Sequence, residues 1–337
     1  MREIKSVSGY AIGERIFTTI SHRNQGSRTL PKTILICNPY SGTCHANLET
    51  FTSSGWASSH QLDVHVTKSP GDATRLSREA CESGKVTIIV AGGDGTIGEV
   101  VNGLAGRFKD VRLGILSTGT GNDFARWLDI PLDLEGAIET ILAEGTRWID
   151  VIRVSSGDEV LRHFVNVAVS AVDQEGQHRI EAGFKNNWGL LGYLQAGFEA
   201  VTEIHPHKIE LTIDETEIIK LVGSVIVVGN GGSMSAGIPV LPPAKVDDGQ
   251  LDVAVFRPTT GAGLALLAPW VLSGTHLGGD QVLHRTAKRL TLRGEPPLSF
   301  SIDDHVFTSA QFTFEVIPKT LEVIVRESET AETGQGK

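Results

Sequence analysis

Four stretches of the chain combine glycine with hydroxyls and carboxylates: NPYSG (Asn38 to Gly42), TKSPGDA (Thr67 to Ala73), GGDGT (Gly92 to Thr96) and STGTGND (Ser117 to Asp123). Each directly follows a short apolar run, respectively ILIC, DVHV, TIIVA and LGIL. Glycine lets the backbone take positive φ and lets a ligand come close to the amides. Clustered N–H groups with a helix N-terminus behind them form an anion site. The hydroxyls of Ser41, Thr67, Thr96, Thr118 and Thr120 add donors for phosphate oxygens. Asp94 stands where a carboxylate could meet magnesium or substrate-side charge. One such loop alone reads equally well as a tight turn, but four together point to a polyphosphate. Neither G-x-x-x-x-G-K-[ST] nor G-x-G-x-x-G occurs, so this is not a Walker loop or a dinucleotide fingerprint. A second constellation, AKVDDGQLD, sets Asp247, Asp248 and Asp252 around Gly249. Hard oxygen donors on a sharp glycine turn suit magnesium or calcium, and an acidic turn without metal fits the same residues.

The elements that must position these loops divide the chain in two. From about 33 to 145, TILIC, LDVHV, VTIIV and RLGIL read as strands, with helical patterns near 45–57, 71–84 and 96–106. Strands joined by helices predict βαβ units and a mostly parallel sheet, whose ligands bind at the carboxyl ends of the strands. After about 147 the period falls to two through IDVIRV, HFVNVAVSAV, KIELTI, EIIKLVGSVIVVGN, QLDVAVF, RLTLR, PLSFSID, QFTFEV and LEVIV. Helical inserts near 176–203 and 260–274 interrupt them, and the pattern predicts an antiparallel sandwich or barrel. The expected organisation is a poorly ordered leader (1–32), an α/β nucleotide-binding domain (33–146), an all-β domain (147–326) and a disordered tail (327–337).

Composition narrows the partners. The 337 residues carry a net charge of −10, which argues against nucleic acid and against strong electrostatic attachment to an anionic membrane. Residues 1–32 run the other way, with six basic groups against Glu3 and Glu14. No apolar run reaches the roughly 18 residues of a membrane span. The greasiest segment, AGLALLAPWVL (262–272), is too short and contains Pro269. Three cysteines (Cys37, Cys44, Cys81) in no zinc or redox spacing predict free thiols and a cytoplasmic location.

GGDGTIGEVVNGL, GILSTGTGNDFAR, NPYSG and SPGDA together resemble the diacylglycerol kinase catalytic family, which includes soluble bacterial lipid kinases and the sphingosine and ceramide kinases. In the second half, NWGLLGYLQAG and GNGGSMSAGIPVLPPAKVDDGQLDVAVF are similar to the same family, so the resemblance spans residues 33–325. It implies an α/β nucleotide domain plus a β-sandwich, and transfer of the γ-phosphate of ATP to a lipid hydroxyl at a membrane surface. By motif, Asn38, Pro39, Ser41, Gly42, Thr67, Gly92, Gly93, Asp94, Gly95, Thr96, Glu99, Thr120 and Asn122 would hold ATP. Asp248, with the carbonyls of Lys245 and Gln250, would hold a structural Mg2+. The family often dimerises, which leaves a homodimer open.

The departure lies in SFSIDDHVF. The family's Asp-Gly-Glu becomes Asp303, Asp304 and His305, so the position of the usual proton-accepting glutamate holds a histidine. Three readings stay open: His305 accepts the proton, Asp303 or Asp304 does, or the chain binds its ligands and catalyses poorly. Ser117 replaces a proline, and Ala171 and Val172 replace Gly-Phe before Asp173, so the acceptor half has drifted further than the nucleotide half. An NAD kinase-like enzyme shares GGDGT but lacks support, because no Asn-Glu pair follows it.

Overall fold

The computed structural model describes residues 33–44, 62–82, 84–170, 206–258, 260–303 and 305–326. The leader, the helical patterns at 45–57 and 176–203, residues 171–173, Asp304 and the tail from 327 lie outside the described residues. The chain divides into two units, one of residues up to Arg147 together with Glu322 onward, the other Trp148–Leu321.

In the first unit, β1 (Thr33–Cys37), β2 (Asp63–Val66), β3 (Val86–Gly92) and β4 (Val111–Ser117) form a parallel sheet in the order β2-β1-β3-β4. Every residue of β1 and β3 is buried, which is why both read as unbroken apolar runs rather than alternating ones. Between and after the strands run α1 (Asp72–Cys81), α2 (Asp94–Gly103), α3 (Asp123–Trp127) and α4 (Leu134–Ala143). Helices α1 and α2 pack closely at Gly103, where a Cβ would stand 1.9 Å from Ser77 Oγ. Asp133 caps α4 by accepting from the Gly136 amide at 2.8 Å. Ala137, Ile138 and Ile141 then pack with Leu35, Ile89 and Leu116. All three cysteines are buried and free. The hydrogen bond that Cys37 donates to Cys44, then burial, pushes the Cys37 thiol well above its ordinary range.

The second unit is an antiparallel β-sandwich. Its strands are β5 (Thr146–Ser156), β6 (Glu159–Phe164), β7 (Val167–Ser170), β8 (His207–Ile213), β9 (Glu217–Gly223) and β10 (Val225–Gly229), then β13 (Leu251–Phe256), β14 (Val282–Ala287), β15 (Arg289–Ile302) and β16 (His305–Ile324). The short pair β11 (Ser233–Met234) and β12 (Ile238–Pro239) forms a separate ribbon, and α5 (Gly261–Leu272) precedes β14. The strands run β14-β13-β10-β7-β15-β16, with β8 and β9 branching from β15 and β5 and β6 from β16. Phe164, Phe300, Phe312 and Phe314 are fully buried at the centre. Phe300 meets Phe312 and Phe314 edge-on at 5.1 and 5.2 Å, contacts of about 0.5–1.5 kcal/mol each beyond area burial.

Several elements differ from the sequence reading. RLTLR and PLSFSID are one strand, β15, bridged by an irregularity between Arg293 and Leu298 that breaks the period-two pattern. QFTFEV and LEVIV are likewise one strand, β16. Residues 322–326, grouped on periodicity with the β half, belong to the first unit: Glu322 and Val323 pair in parallel with Arg112 and Leu113, and the Val325 amide donates to Gly145 O at 2.8 Å.

Candidate active site

The glycine loops at the carboxyl ends of β1, β3 and β4 meet. Gly42, at φ +42°, would place a Cβ 2.0 Å from the Thr118 carbonyl oxygen, and the Thr43 amide donates to that oxygen at 2.9 Å. A Cβ on Gly119 would stand 2.5 Å from Gly93 Cα, so GGDGT and STGTGND pack backbone to backbone. Hydroxyls tie the rest together: Asn38 Nδ2 donates to Thr96 Oγ1 at 2.9 Å and Thr118 Oγ1 to Ser41 Oγ at 3.3 Å. The amides of Gly119, Thr120 and Gly121 donate to no acceptor among the described residues. Asn122 holds this turn in left-handed conformation, at φ 53° and ψ 39°, its Nδ2 donating to Gly119 O at 2.8 Å. Its Oδ1 and the Ser117 hydroxyl are buried with no hydrogen-bond partner among the described residues. A loop with spare amide donors can cradle phosphate oxygens.

Two acidic residues assigned to ligand binding make internal contacts. Asp94 accepts from the amides of Asp123 (3.1 Å) and Phe124 (3.0 Å), one on each carboxylate oxygen, and so ties the start of α2 to the start of α3. Glu99 accepts from Gly71 (2.9 Å) and Ala73 (3.1 Å) and fixes the SPGDA turn, where Gly71 sits at φ 87°. A carboxylate has about four acceptor positions, so these bonds occupy part of its capacity. Thr67 is buried, its amide on Cys37 O at 2.8 Å, and places SPGDA beside NPYSG. Thr120 is exposed, while Pro39 and Gly95 are half-buried.

In the second unit, β15 ends at Ile302, which pairs with His305 at the start of β16. Asp303 takes φ 43°, as a two-residue hairpin of this kind requires. Its carboxylate is not open to solvent: Arg162 Nε donates to Asp303 Oδ2 at 2.9 Å, with the two side chains 9% and 5% exposed. His305 is exposed, and its ring stacks on Phe307 at 6.3 Å.

The acidic turn is organised by a residue the motif did not include. Asp150 is fully buried in β5 and accepts from the amides of Gly249 (2.6 Å) and Lys319 (2.7 Å). Burial pushes its carboxyl above the usual range against those two bonds, and the charges of Asp247 and Asp248 add to the rise. Asp248 Oδ1 accepts from the Gln250 amide at 3.0 Å, and Gly249 takes φ 75°. Asp252 points elsewhere, to His284 Nε2 at 2.6 Å. Among the described residues no three His, Cys, Asp or Glu side chains converge as a ligand set. A cation here would therefore rely on Asp248 and backbone carbonyls. The donors are all hard oxygens, and the surplus negative charge felt by Asp150 fits a divalent cation.

A family model described as "Diacylglycerol kinase catalytic domain" matches residues 32–154, and one described as "YegS C-terminal NAD kinase beta sandwich-like domain" matches 166–325. A Xanthomonas campestris protein named "Probable lipid kinase YegS-like" is 33% identical over 270 residues, 77% of this chain and 85% of that one. The chain belongs to the diacylglycerol kinase family of lipid kinases. A Bacillus subtilis diacylglycerol kinase is 29% identical across 76% of this chain and 82% of its own. The solved structure of a Bacillus anthracis diacylglycerol kinase superposes with a TM-score of 0.67 at 26% identity, covering 88% of this chain and 97% of that one. The NAD kinase-like alternative is not favoured.

Within this family member, Asp150 and Arg162 are the site residues that sequence reading missed. Both announce themselves only as charges in apolar strands, WIDVIRV and EVLRHF. A charge at such a position is rarely buried without a partner, which is the signal that could have found them.

Proposed function

We propose that this lipid kinase transfers the γ-phosphate of ATP to the hydroxyl of diacylglycerol, a sphingoid base or a similar amphiphile, working from an aqueous compartment at the membrane surface. The observation that carries the nucleotide half is the backbone-to-backbone packing of Gly93 and Gly119 beside amides that meet no acceptor among the described residues. These amides, with the hydroxyls of Ser41, Thr96 and Thr120, bind and orient the triphosphate; Asp94 and Glu99 hold the loops that carry them. Phosphoryl transfer depends mainly on such positioning. Magnesium bound with the nucleotide supplies neutralisation of charge on the transferring phosphate. A structural Mg2+ would be held by Asp248 and the carbonyls of Lys245 and Gln250.

For the acceptor step, His305 takes the hydroxyl proton as the oxygen attacks phosphorus and ADP leaves. Two features support it over Asp303. An imidazole accepts protons near neutral pH, and the Asp303 carboxylate is committed to a buried guanidinium. Asp303 instead holds the hairpin that presents His305.

The test is magnesium-dependent transfer of labelled phosphate from [γ-32P]ATP to a panel of lipids in mixed micelles, comparing wild type with His305→Ala and His305→Gln. The expected result is a labelled lipid and a loss of about 10²-fold or more in kcat for both variants, the usual scale of general base catalysis. Full activity in both would remove His305 from the mechanism. ATP binding with no lipid or alcohol labelled would overturn the kinase reading.

A further inference from the structure

Helix α5, GAGLALLAPWVL, contains no charged residue, and the nearest charges along the chain are Arg257 and Asp280. One face is ordinary core: Leu267 is buried, and Leu264 and Val271 pack with Val240, Leu241 and Phe256. The opposite face is the unusual one. Ala262, Leu266, Pro269, Trp270 and Ser273 follow the spacing i, i+4, i+7, i+8, i+11 and all are exposed. Leu266 is 75% exposed, Trp270 53% and Leu272 41%. A solvent-facing helix stripe is normally polar, and a helix apolar all round is normally buried. Thr260 caps its first turn by accepting from the Gly263 amide at 3.2 Å, and the core packing of Leu264, Leu267 and Val271 sets which face points outward.

We propose that the outer face of α5 is the surface by which the protein docks on a lipid bilayer, inserting Leu266, Trp270 and Leu272 into the interfacial region. This rests on the lipid kinase reading, since an acceptor presented by a bilayer requires the enzyme to reach it. Charge selects the mode of contact. A chain of net charge −10 gains nothing from an anionic headgroup layer, whereas a charge-free helix face suits a neutral, zwitterionic surface. Tryptophan prefers the headgroup level, with its ring in the apolar boundary and its N–H in water. With α5 only 12 residues long and no helix among the described residues long and apolar enough to cross a membrane, the contact is in-plane and reversible.

The test is cosedimentation of the full chain with phosphatidylcholine vesicles, without ATP, for wild type, Leu266→Glu, Trp270→Glu and Trp270→Phe. Oligomeric state is followed by light scattering, and phosphorylation of a water-soluble short-chain diacylglycerol is measured separately. Each glutamate variant is expected to lower the vesicle partition coefficient by about tenfold or more, from lost apolar burial. Trp270→Phe should retain most binding, wild-type binding should persist in high salt, and turnover of the soluble acceptor should be unchanged. Unaltered partition in both glutamate variants would overturn the proposal. So would glutamate variants that turn a wild-type dimer into a monomer, because the face would then join two copies. Vesicle binding that depends on α5 while no lipid is phosphorylated would leave docking standing and sink the kinase reading. Turnover of the soluble acceptor without vesicle binding would do the reverse.

Discussion

Gly119 is fixed by what faces it. In Gly119→Ala the new Cβ would stand 2.5 Å from Gly93 Cα, and the obstacle is backbone, which cannot swing aside as a side chain can. The GGDGT and STGTGND loops must part, and ATP affinity should fall by more than about tenfold, ~1.4 kcal/mol. Isothermal titration with ATP against wild type, with circular dichroism to confirm folding, checks this; unchanged affinity would show that the loops do not act as one site. The Arg162–Asp303 pair is constrained differently. Its members are almost fully buried, so removing either leaves an uncompensated charge, at a cost of about 3–5 kcal/mol. That commitment distinguishes Asp303 from His305, whose imidazole is exposed on the same hairpin.

At the scale of elements, α3 has only five residues, too few to be stable by itself. Its first turn is held by the Asp94 carboxylate, which reaches back from the start of α2 to the Asp123 and Phe124 amides. In Asp94→Ala these two amides lose their acceptor, and their hydrogen exchange should accelerate by about tenfold or more, for a local loss of ~1–3 kcal/mol. Exchange measured by mass spectrometry on peptides covering residues 117–130 reads this directly; unchanged protection there would mean that the helix is held by other contacts. The short length of α3 also explains why periodicity does not reveal it. The sequence reading passed over α4 as well, although apolar residues at 134, 137, 138, 141 and 142 behind the capping Asp133 have helical spacing. The strand–glycine-loop units, by contrast, were plain: buried parallel strands are continuous apolar runs, and the loops after them are dense in glycine. The irregularity between Arg293 and Leu298 was not legible, because PP within β15 reads as a break rather than as a bulged continuation. Nor could spacing show Asp150 under the acidic turn, since it lies about a hundred residues away in sequence.

For the whole molecule, stability should depend on pH through His163. Burial, reinforced by the charge of Arg153, pulls its imidazole down from 6.5 to about 4. The folded state therefore disfavours the proton that the unfolded chain accepts. The stability it contributes is present above pH 6.5 and is lost as pH falls toward 4. With partial solvent screening the loss amounts to about 2 kcal/mol. Asp150 acts in the opposite sense, its raised carboxyl favouring the folded state in acid. Urea midpoints between pH 7 and pH 4 for wild type and His163→Gln separate the two: the variant should show a shallower decline, and parallel curves would exclude His163 as a source. The closing residues of β16 carry a consequence for how the protein is made. Glu322 and Val323 pair beside β4, and Val325 bonds to Gly145, so the first unit draws on segments that lie on either side of the sandwich in sequence. A ribosome must therefore translate the entire sandwich before that sheet can be finished. A stop codon after Arg147 would release a half-protein with an open β4 edge, prone to pair with its neighbours, rather than an independent nucleotide-binding fragment.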